Sequence, residues 1–247
     1  MSPSETHGPM MPPPLLRSDH GLFLDFDGTL ADLQEDASAV VLPQSGPQTL
    51  QRVSDALSGA LAIISGRSLA DLSLRVPDAH WRLGAHGLEI AAPGRPASAR
   101  AGAAPEALRS AFQDVIRSYD GVWLEDKGRV QAVHYRMRPQ AGPALVMALE
   151  ERLNAFPDYR LQHGKMVIEA KPAGANKGLA LAELMRTSPF VGKRPIMVGD
   201  DATDEDAMKV ALALGGAAIK VGEGSSIATY RLATPKDVWT WLEQGIT

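Results

Sequence analysis

The stretch Leu22-Phe23-Leu24-Asp25-Phe26-Asp27-Gly28-Thr29-Leu30 decides how this chain is read. A short apolar run stopped by a turn residue reads as a buried strand. Gly28 permits a sharp bend at its end. Side chains at i and i+2 of an extended segment point to the same side. Asp25 and Asp27 are therefore expected to converge at the carboxyl end of a strand. Two carboxylates that close repel each other unless a cation lies between them or one holds a proton. Either condition describes a reactive site.

The same strand-then-polar-turn pattern recurs twice. Leu61-Ala62-Ile63-Ile64 runs into Ser65-Gly66-Arg67, and Pro195-Ile196-Met197-Val198 runs into Gly199-Asp200-Asp201. Between strands lie helical signals. Ser45 and Gln48 form a candidate capping box before Leu50, Val53 and Leu57, and Ala31 to Pro43 reads as loop. A short helix is expected over Ser68 to Leu74 and a strand from Trp81 to Leu83, followed by a tight turn, Gly84 to Glu89. Later, Asn176 caps a helix carrying Leu179 and Leu184, and acids at Asp204, Glu205 and Asp206 suit the start of another. Ala217 to Val221 reads as the last core strand, and Thr234, Pro235 and Asp237 open a closing helix. Strands alternating with helices imply parallel pairing in an open α/β sheet.

The texture changes between Ala92 and Ala170. Pro93-Gly94-Arg95-Pro96 and the Ala-rich stretch after it read as a linker. Then come a helix with Leu108, Phe112 and Tyr119 on one face, a hairpin turning at Asp126-Lys127-Gly128, a helix over Pro143 to Phe156, and a second hairpin turning at His163-Gly164-Lys165. The expected organisation is a lead-in over residues 1–18, poorly ordered and Pro-rich, an α/β core over 19–98 and 172–247, and an α+β insert over 99–171.

Composition narrows the field. A net charge of −4 gives no nucleic-acid or membrane surface. The absence of Cys excludes disulfides and thiolate metal sites and fits a reducing cytoplasm. No apolar run approaches the roughly 20 residues of a spanning helix. The four Trp residues are expected in packing.

In open α/β sheets, ligands bind beyond the carboxyl ends of the strands. The three polar turns are then expected to share one crevice. Carboxylates without thiolates or clustered His suit a hard cation such as Mg²⁺. A carboxylate can also attack phosphorus. The Ser65 hydroxyl, the turn at Gly66 and the Lys177 ammonium are placed to hold phosphoryl oxygens.

Asp25-Phe26-Asp27-Gly28-Thr29 resembles the first motif of the haloacid dehalogenase-like phosphatases, and Ser65, Lys177 and Asp200-Asp201 match the other three in order. That resemblance implies a Rossmann-like parallel-sheet core with an inserted α+β cap domain. It makes Asp25 the nucleophile and Asp27 the general acid, then base. It also implies Mg²⁺ held by Asp25, the Asp27 backbone carbonyl and Asp200, with Asp201 beside them. Ser65-Gly66-Arg67, Gly84-Ala85-His86-Gly87, Glu169-Ala170-Lys171-Pro172, Asn176-Lys177-Gly178 and Gly199 to Glu205 are similar to the trehalose-6-phosphate phosphatases. By that similarity Arg67, His86, Glu125, Lys127, His134, Arg136, Glu169, Lys171 and Asn176 are substrate contacts. The implied substrate is trehalose 6-phosphate, with functional coupling to a trehalose-6-phosphate synthase. The alternatives are a phosphatase for sucrose 6-phosphate or mannosyl-3-phosphoglycerate, a phosphomannomutase-like phosphotransferase, and a non-catalytic phosphosugar sensor. The last would have no need of both Asp25 and Asp27.

Overall fold

The structure, a computed structural model, describes residues 12–34, 36–96, 102–164 and 166–246. Residues 1–11 of the expected lead-in, part of the Ala-rich linker and Lys165 of the second expected turn lie outside the described residues. The chain divides into two compact units, Met1–Ser98 with Asn176–Thr247, and Ala99–Ala175.

In chain order the elements begin with β1 (His20–Leu24), α1 (Gly46–Ala56), β2 (Leu61–Ile64), α2 (Leu69–Ser73), β3 (Trp81–Gly84) and β4 (Glu89–Ala91). The second unit contributes α3 (Glu106–Ile116), β5 (Trp123–Lys127), β6 (Val130–His134), α4 (Gly142–Leu153), β7 (Tyr159–Gly164) and β8 (Val167–Pro172). The chain then adds α5 (Lys177–Leu184), β9 (Arg194–Gly199), α6 (Asp204–Ala213), β10 (Ala217–Val221), β11 (Tyr230–Leu232) and α7 (Pro235–Gln244).

The first unit is built on a seven-stranded sheet in the order β11-β10-β9-β1-β2-β3-β4. All neighbours run parallel except β3 and β4. β1 sits between β2 and β9, with Leu24 beside Ile63 and Val198. Strand order reverses at β1, the place where open α/β sheets bind ligands. Every residue of β1 and β2 is buried. A strand covered on both faces has no need of a polar alternate position, hence the unbroken apolar runs. Phe23 packs on Phe190 with ring centroids 5.1 Å apart, and Trp81 meets Phe190 edge-on at 6.0 Å. Burying such a ring contributes about 1.5–3 kcal/mol.

Several expectations are corrected. Ser45 makes no side-chain cap, so the first capping box does not form, although Thr234 and Asp237 do form one on α7. β4 and β11 are additions to the expected strands, because three-residue strands carry too little periodicity to register. Leu16, assigned to the poorly ordered lead-in, is fully buried. Its N–H donates to the Gly245 carbonyl at 2.6 Å, and the Trp241 indole donates to the Pro14 carbonyl at 3.0 Å. The apolar Leu16 side chain and the closing segment together hold this part of the chain.

The second unit has a four-stranded antiparallel sheet in the order β5-β6-β8-β7. Leu108, Phe112, Leu145 and Leu149 of α3 and α4 form a core with Val133, Ile168 and Ala170 on one face of it. By the two-residue period of a strand, Trp123, Glu125, Lys127, His134, Glu169 and Lys171 belong to the other face. The first hairpin turns at Gly128-Arg129, because Lys127 pairs with Val130 on the strands. His163 pairs with Ile168 and belongs to β7. The boundary expected at Lys171 falls inside β8, which continues to Pro172 opposite Tyr159. Trp123 departs from the expected packing role, being 51% exposed. No helix among the described residues is long and apolar enough to cross a membrane.

Candidate active site

The pairing of β1 with β9 runs one residue past Leu24: the Asp25 N–H donates to the Val198 carbonyl at 3.0 Å. This sets the buried Asp25 side chain at the carboxyl end of the central strand. α5 starts at Lys177 because Asn176 caps it, its side-chain oxygen accepting from Gly178 N at 2.7 Å and Leu179 N at 3.1 Å. The Lys177 Nζ then lies 2.7 Å from both Asp25 Oδ1 and Asp204 Oδ1. Asp204 is fully buried, and its Oδ2 accepts from the backbone N–H groups of Asp200 at 3.0 Å and Asp201 at 3.1 Å. A buried carboxylate needs such partners to be tolerated.

Asp25, Asp200 and Asp204 each offer an oxygen, and these oxygens lie within 4.8 Å of one another. Burial pushes the Asp25 carboxyl well above the usual range; Lys177 opposes this, while Asp204 and Asp200 add to it. Burial and the neighbouring Asp204 and Asp201 push Asp200 up to about 6. Burial also raises Asp204, against the pull of Lys177. For Lys177, burial works against the ammonium, but Asp204 and Asp25 outweigh it and hold the proton on. Three clustered acids facing one buried ammonium leave negative charge uncompensated. That all-oxygen donor set fits a hard divalent cation such as Mg²⁺. Gly28, at a φ of +81°, makes the bend that brings Thr29 to 3.5 Å from Asp200, and any Cβ there would run into the Asp200 carboxylate.

Asp201 lies beside these groups and is held by the start of the next helix. Its Oδ1 accepts from Thr203 N at 2.7 Å, Thr203 Oγ1 at 2.6 Å and Asp204 N at 3.3 Å, just ahead of α6. Burial alone would raise its pKa, but Lys177 and Thr203 bring it below the ordinary value. Asp204 joins the carboxylate cluster in its stead, a larger part than that of an acid merely suited to a helix start. Lys220 is a further addition: it is buried on β10 and donates to the Asp200 carbonyl. A lysine closing the run Ala217-Ala218-Ile219 is the signal in the sequence that points to it.

Asp27 follows Asp25 into the same end of the sheet, where Arg67 grips it. Arg67 Nε donates to Asp27 Oδ2 at 2.7 Å and its Nη2 to Oδ1 at 2.6 Å, while Nη1 donates to Asp71 at 2.6 Å. The guanidinium also lies over the Phe26 ring, 5.5 Å from its centroid. Arg67, expected on the substrate, thus fixes the direction of Asp27. Ser65 is buried after β2, and its Oγ accepts from Arg67 N at 3.1 Å. His86, buried after β3, donates its backbone N–H to the Ser65 carbonyl at 2.9 Å. A Cβ on Gly66 would come within 2.9 Å of the His86 ring, so the glycine is what lets that ring close on the turn. Asn176, also expected on the substrate, has its oxygen in the α5 cap and its Nδ2 donating to Asp206 at 2.6 Å.

Within the second unit, Lys127 Nζ lies 3.0 Å from Glu169 Oε1 and 3.6 Å from Glu125 Oε2. His134 Nε2 is 2.8 Å from Glu125 Oε2. The His134 hydrogen bond is the main reason that Glu125 falls below the usual range, with burial opposing it. Burial works against the Lys127 ammonium, but Glu169 and Glu125 outweigh it and raise its pKa. Lys171 follows Glu169 on the same face of β8. Arg136 does not share a strand with His134, since β6 ends at His134 and Arg136 lies exposed in the following turn.

The chain matches a family model described as trehalose-phosphatase over residues 23–236. It is 39% identical over 246 residues to the trehalose-6-phosphate phosphatase of Escherichia coli (strain K12), covering 97% of this chain and 91% of that one. It is 43% identical over 204 residues to a probable trehalose-phosphate phosphatase of Sinorhizobium fredii, covering 81% and 77%. Its fold superimposes on the trehalose-6-phosphate phosphatase C-terminal domain of C. albicans with a TM-score of 0.77 at 22% identity, covering 92% and 91%. A haloacid dehalogenase-like hydrolase from Bacteroides thetaiotaomicron gives 0.66 at 18% identity, covering 90% and 98%. By family model, relatives and fold alike, the chain belongs to the trehalose-phosphatase family, on the haloacid dehalogenase-like hydrolase fold.

Proposed function

We propose that this chain is a Mg²⁺-dependent phosphatase that hydrolyses trehalose 6-phosphate to trehalose and phosphate. The observation that carries the reading is Asp25: a buried carboxylate at the end of the central strand, aimed by Lys177 at 2.7 Å and accompanied by Asp200.

In the first step an Asp25 oxygen attacks phosphorus and the bond from phosphorus to the sugar oxygen breaks. Asp27, directed by Arg67, delivers a proton to that departing oxygen. In the second step Asp27 takes a proton from water, whose oxygen attacks the aspartyl phosphate and frees phosphate and Asp25. Mg²⁺, held by Asp25, Asp200 and the Asp27 backbone carbonyl, would offset the repulsion between carboxylate and phosphate. Ser65 and Lys177 hold phosphoryl oxygens, and Glu125, Lys127, His134, Glu169 and Lys171 hydrogen-bond the sugar. Such an enzyme consumes the product of a synthase that joins glucose to glucose 6-phosphate. A cytoplasmic location suits a chain without Cys.

Phosphate release from trehalose 6-phosphate, sucrose 6-phosphate and mannose phosphates tests the assignment. A kcat/KM for trehalose 6-phosphate at least a hundredfold above the others is the expected result. Comparable turnover of all three sinks the specific substrate.

A further inference from the structure

The sheet of the second unit has its apolar core on one face only. On the other, Trp123 and His134 form a cross-strand pair between β5 and β6. Their rings stack 4.0 Å apart and only 9° from parallel. Glu125 Oε2, 2.8 Å from His134 Nε2, locks the imidazole in that plane, and Lys127 ties Glu125 to Glu169. The indole is therefore held flat by its neighbour while 51% of Trp123 stays exposed. That leaves an exposed, oriented aromatic surface on the same face of the sheet as Glu125, Lys127 and Glu169. Cross-strand aromatic pairs do stabilise sheets, but that role is served by the contact with His134 and does not require the remaining surface.

A gluco-configured pyranose is complementary to such a surface. In an α-linked glucose one ring face carries only axial C–H groups, the glycosidic oxygen being axial on the other, and the hydroxyls project equatorially around the rim. The ring face meets the electron-rich face of an indole, and the rim hydroxyls meet the carboxylates and ammonium around it. A sugar with an axial hydroxyl on that face would push a polar group into the indole. We propose that Trp123, backed by His134, is the platform on which a pyranose ring of the substrate stacks, a specificity-determining residue for the reaction. This rests on the sugar-phosphatase reading above.

Steady-state kinetics with trehalose 6-phosphate on the wild type, Trp123→Ala and Trp123→Phe test it. Loss of one aromatic stack corresponds to roughly a fivefold to tenfold rise in KM. That rise is expected in Trp123→Ala, with kcat changed much less, the signature of lost ground-state binding. Trp123→Phe should recover most of it. A KM for Trp123→Ala within twofold of the wild type overturns the platform while leaving the phosphatase assignment intact. So does a KM rise that tracks a fall in Tm and is not rescued by Phe, which marks Trp123 as a stabiliser of β5 alone. If the wild type prefers a different pyranose phosphate, the trehalose reading fails, and the same KM rise for that compound still supports the platform.

Discussion

Lys177 and Asp25 stand 152 positions apart in the chain, yet Nζ of the one lies 2.7 Å from Oδ1 of the other, with both side chains almost wholly buried. The same ammonium serves Asp204. Replacing it by Met in Lys177→Met strands two buried carboxyls without their cation. Breaking a buried pair in this way costs about 3–5 kcal/mol. Urea unfolding without metal should show that loss, and phosphate release should fall with it. Added Mg²⁺ is expected to recover part of the stability, since it too is a cation among the acids, but not the activity.

The uncompensated charge among Asp25, Asp200 and Asp204 makes the metal itself testable. Chelation should abolish phosphate release and Mg²⁺ should restore it. Because a ligand of the folded state alone stabilises by mass action, Mg²⁺ at a hundred times its Kd should add about 2.7 kcal/mol. Asp200→Asn should lose most of that thermal shift. Activity indifferent to chelation contradicts the metal assignment.

Asp25→Asn separates chemistry from folding. Loss of the proposed nucleophile should lower phosphate release by about 10⁴-fold or more, and labelled substrate should leave no acid-stable phosphoryl group on the protein. Burial raises the Asp25 pKa, so the folded state binds a proton that the unfolded chain has already released. Its contribution to stability is present below about 3.9, the unfolded value, and is lost as pH rises through the folded value. The Asn variant lacks that loss. As pH rises over that window, the stability difference between metal-free Asp25→Asn and the wild type should therefore shift in favour of the variant. A stability difference that stays constant with pH would mean that Asp25 is not the group that titrates.

The carboxyl end of the sheet is legible in the sequence because polar turns and topology coincide there. Asp25, Ser65 and Asp200 each follow an unbroken apolar run, and strands buried on both faces announce themselves. What stays hidden depends on which way a side chain turns. Asp201 and Asp204 are both acids near a helix start, and only the loop geometry decides that the first turns to Thr203 while the second joins Asp25 and Lys177. That the Arg67 fork closes on Asp27 and Asp71 follows from tertiary approach, not spacing. In the insert, a small shift of the hairpin turn moves Lys127 onto a strand. Trp123 is hidden because an indole's apolar bulk argues for packing wherever it occurs.

His80 gives the chain a pH-dependent weakness outside the acid cluster. It lies just ahead of β3, 1% exposed, and neither ring nitrogen has a hydrogen-bond partner in the structure. Burial lowers its pKa, Arg82 lowers it further, and Asp55 opposes them. The unfolded imidazole, with a pKa of about 6.5, therefore takes up its proton first as the solution is acidified. Stability is whole above that value and declines as pH falls from there toward the folded pKa, below which the slope disappears. The steepest decline one such group can cause is about 1.4 kcal/mol per pH unit. His80→Leu removes the titrating group while keeping an apolar side chain in the site. Urea unfolding of both proteins between about pH 7.5 and 5 should show the wild type losing stability faster on acidification, with the gap closing to a constant once the folded pKa is passed. Parallel curves across that range would place the acid sensitivity elsewhere, with the buried His20 the next residue to substitute.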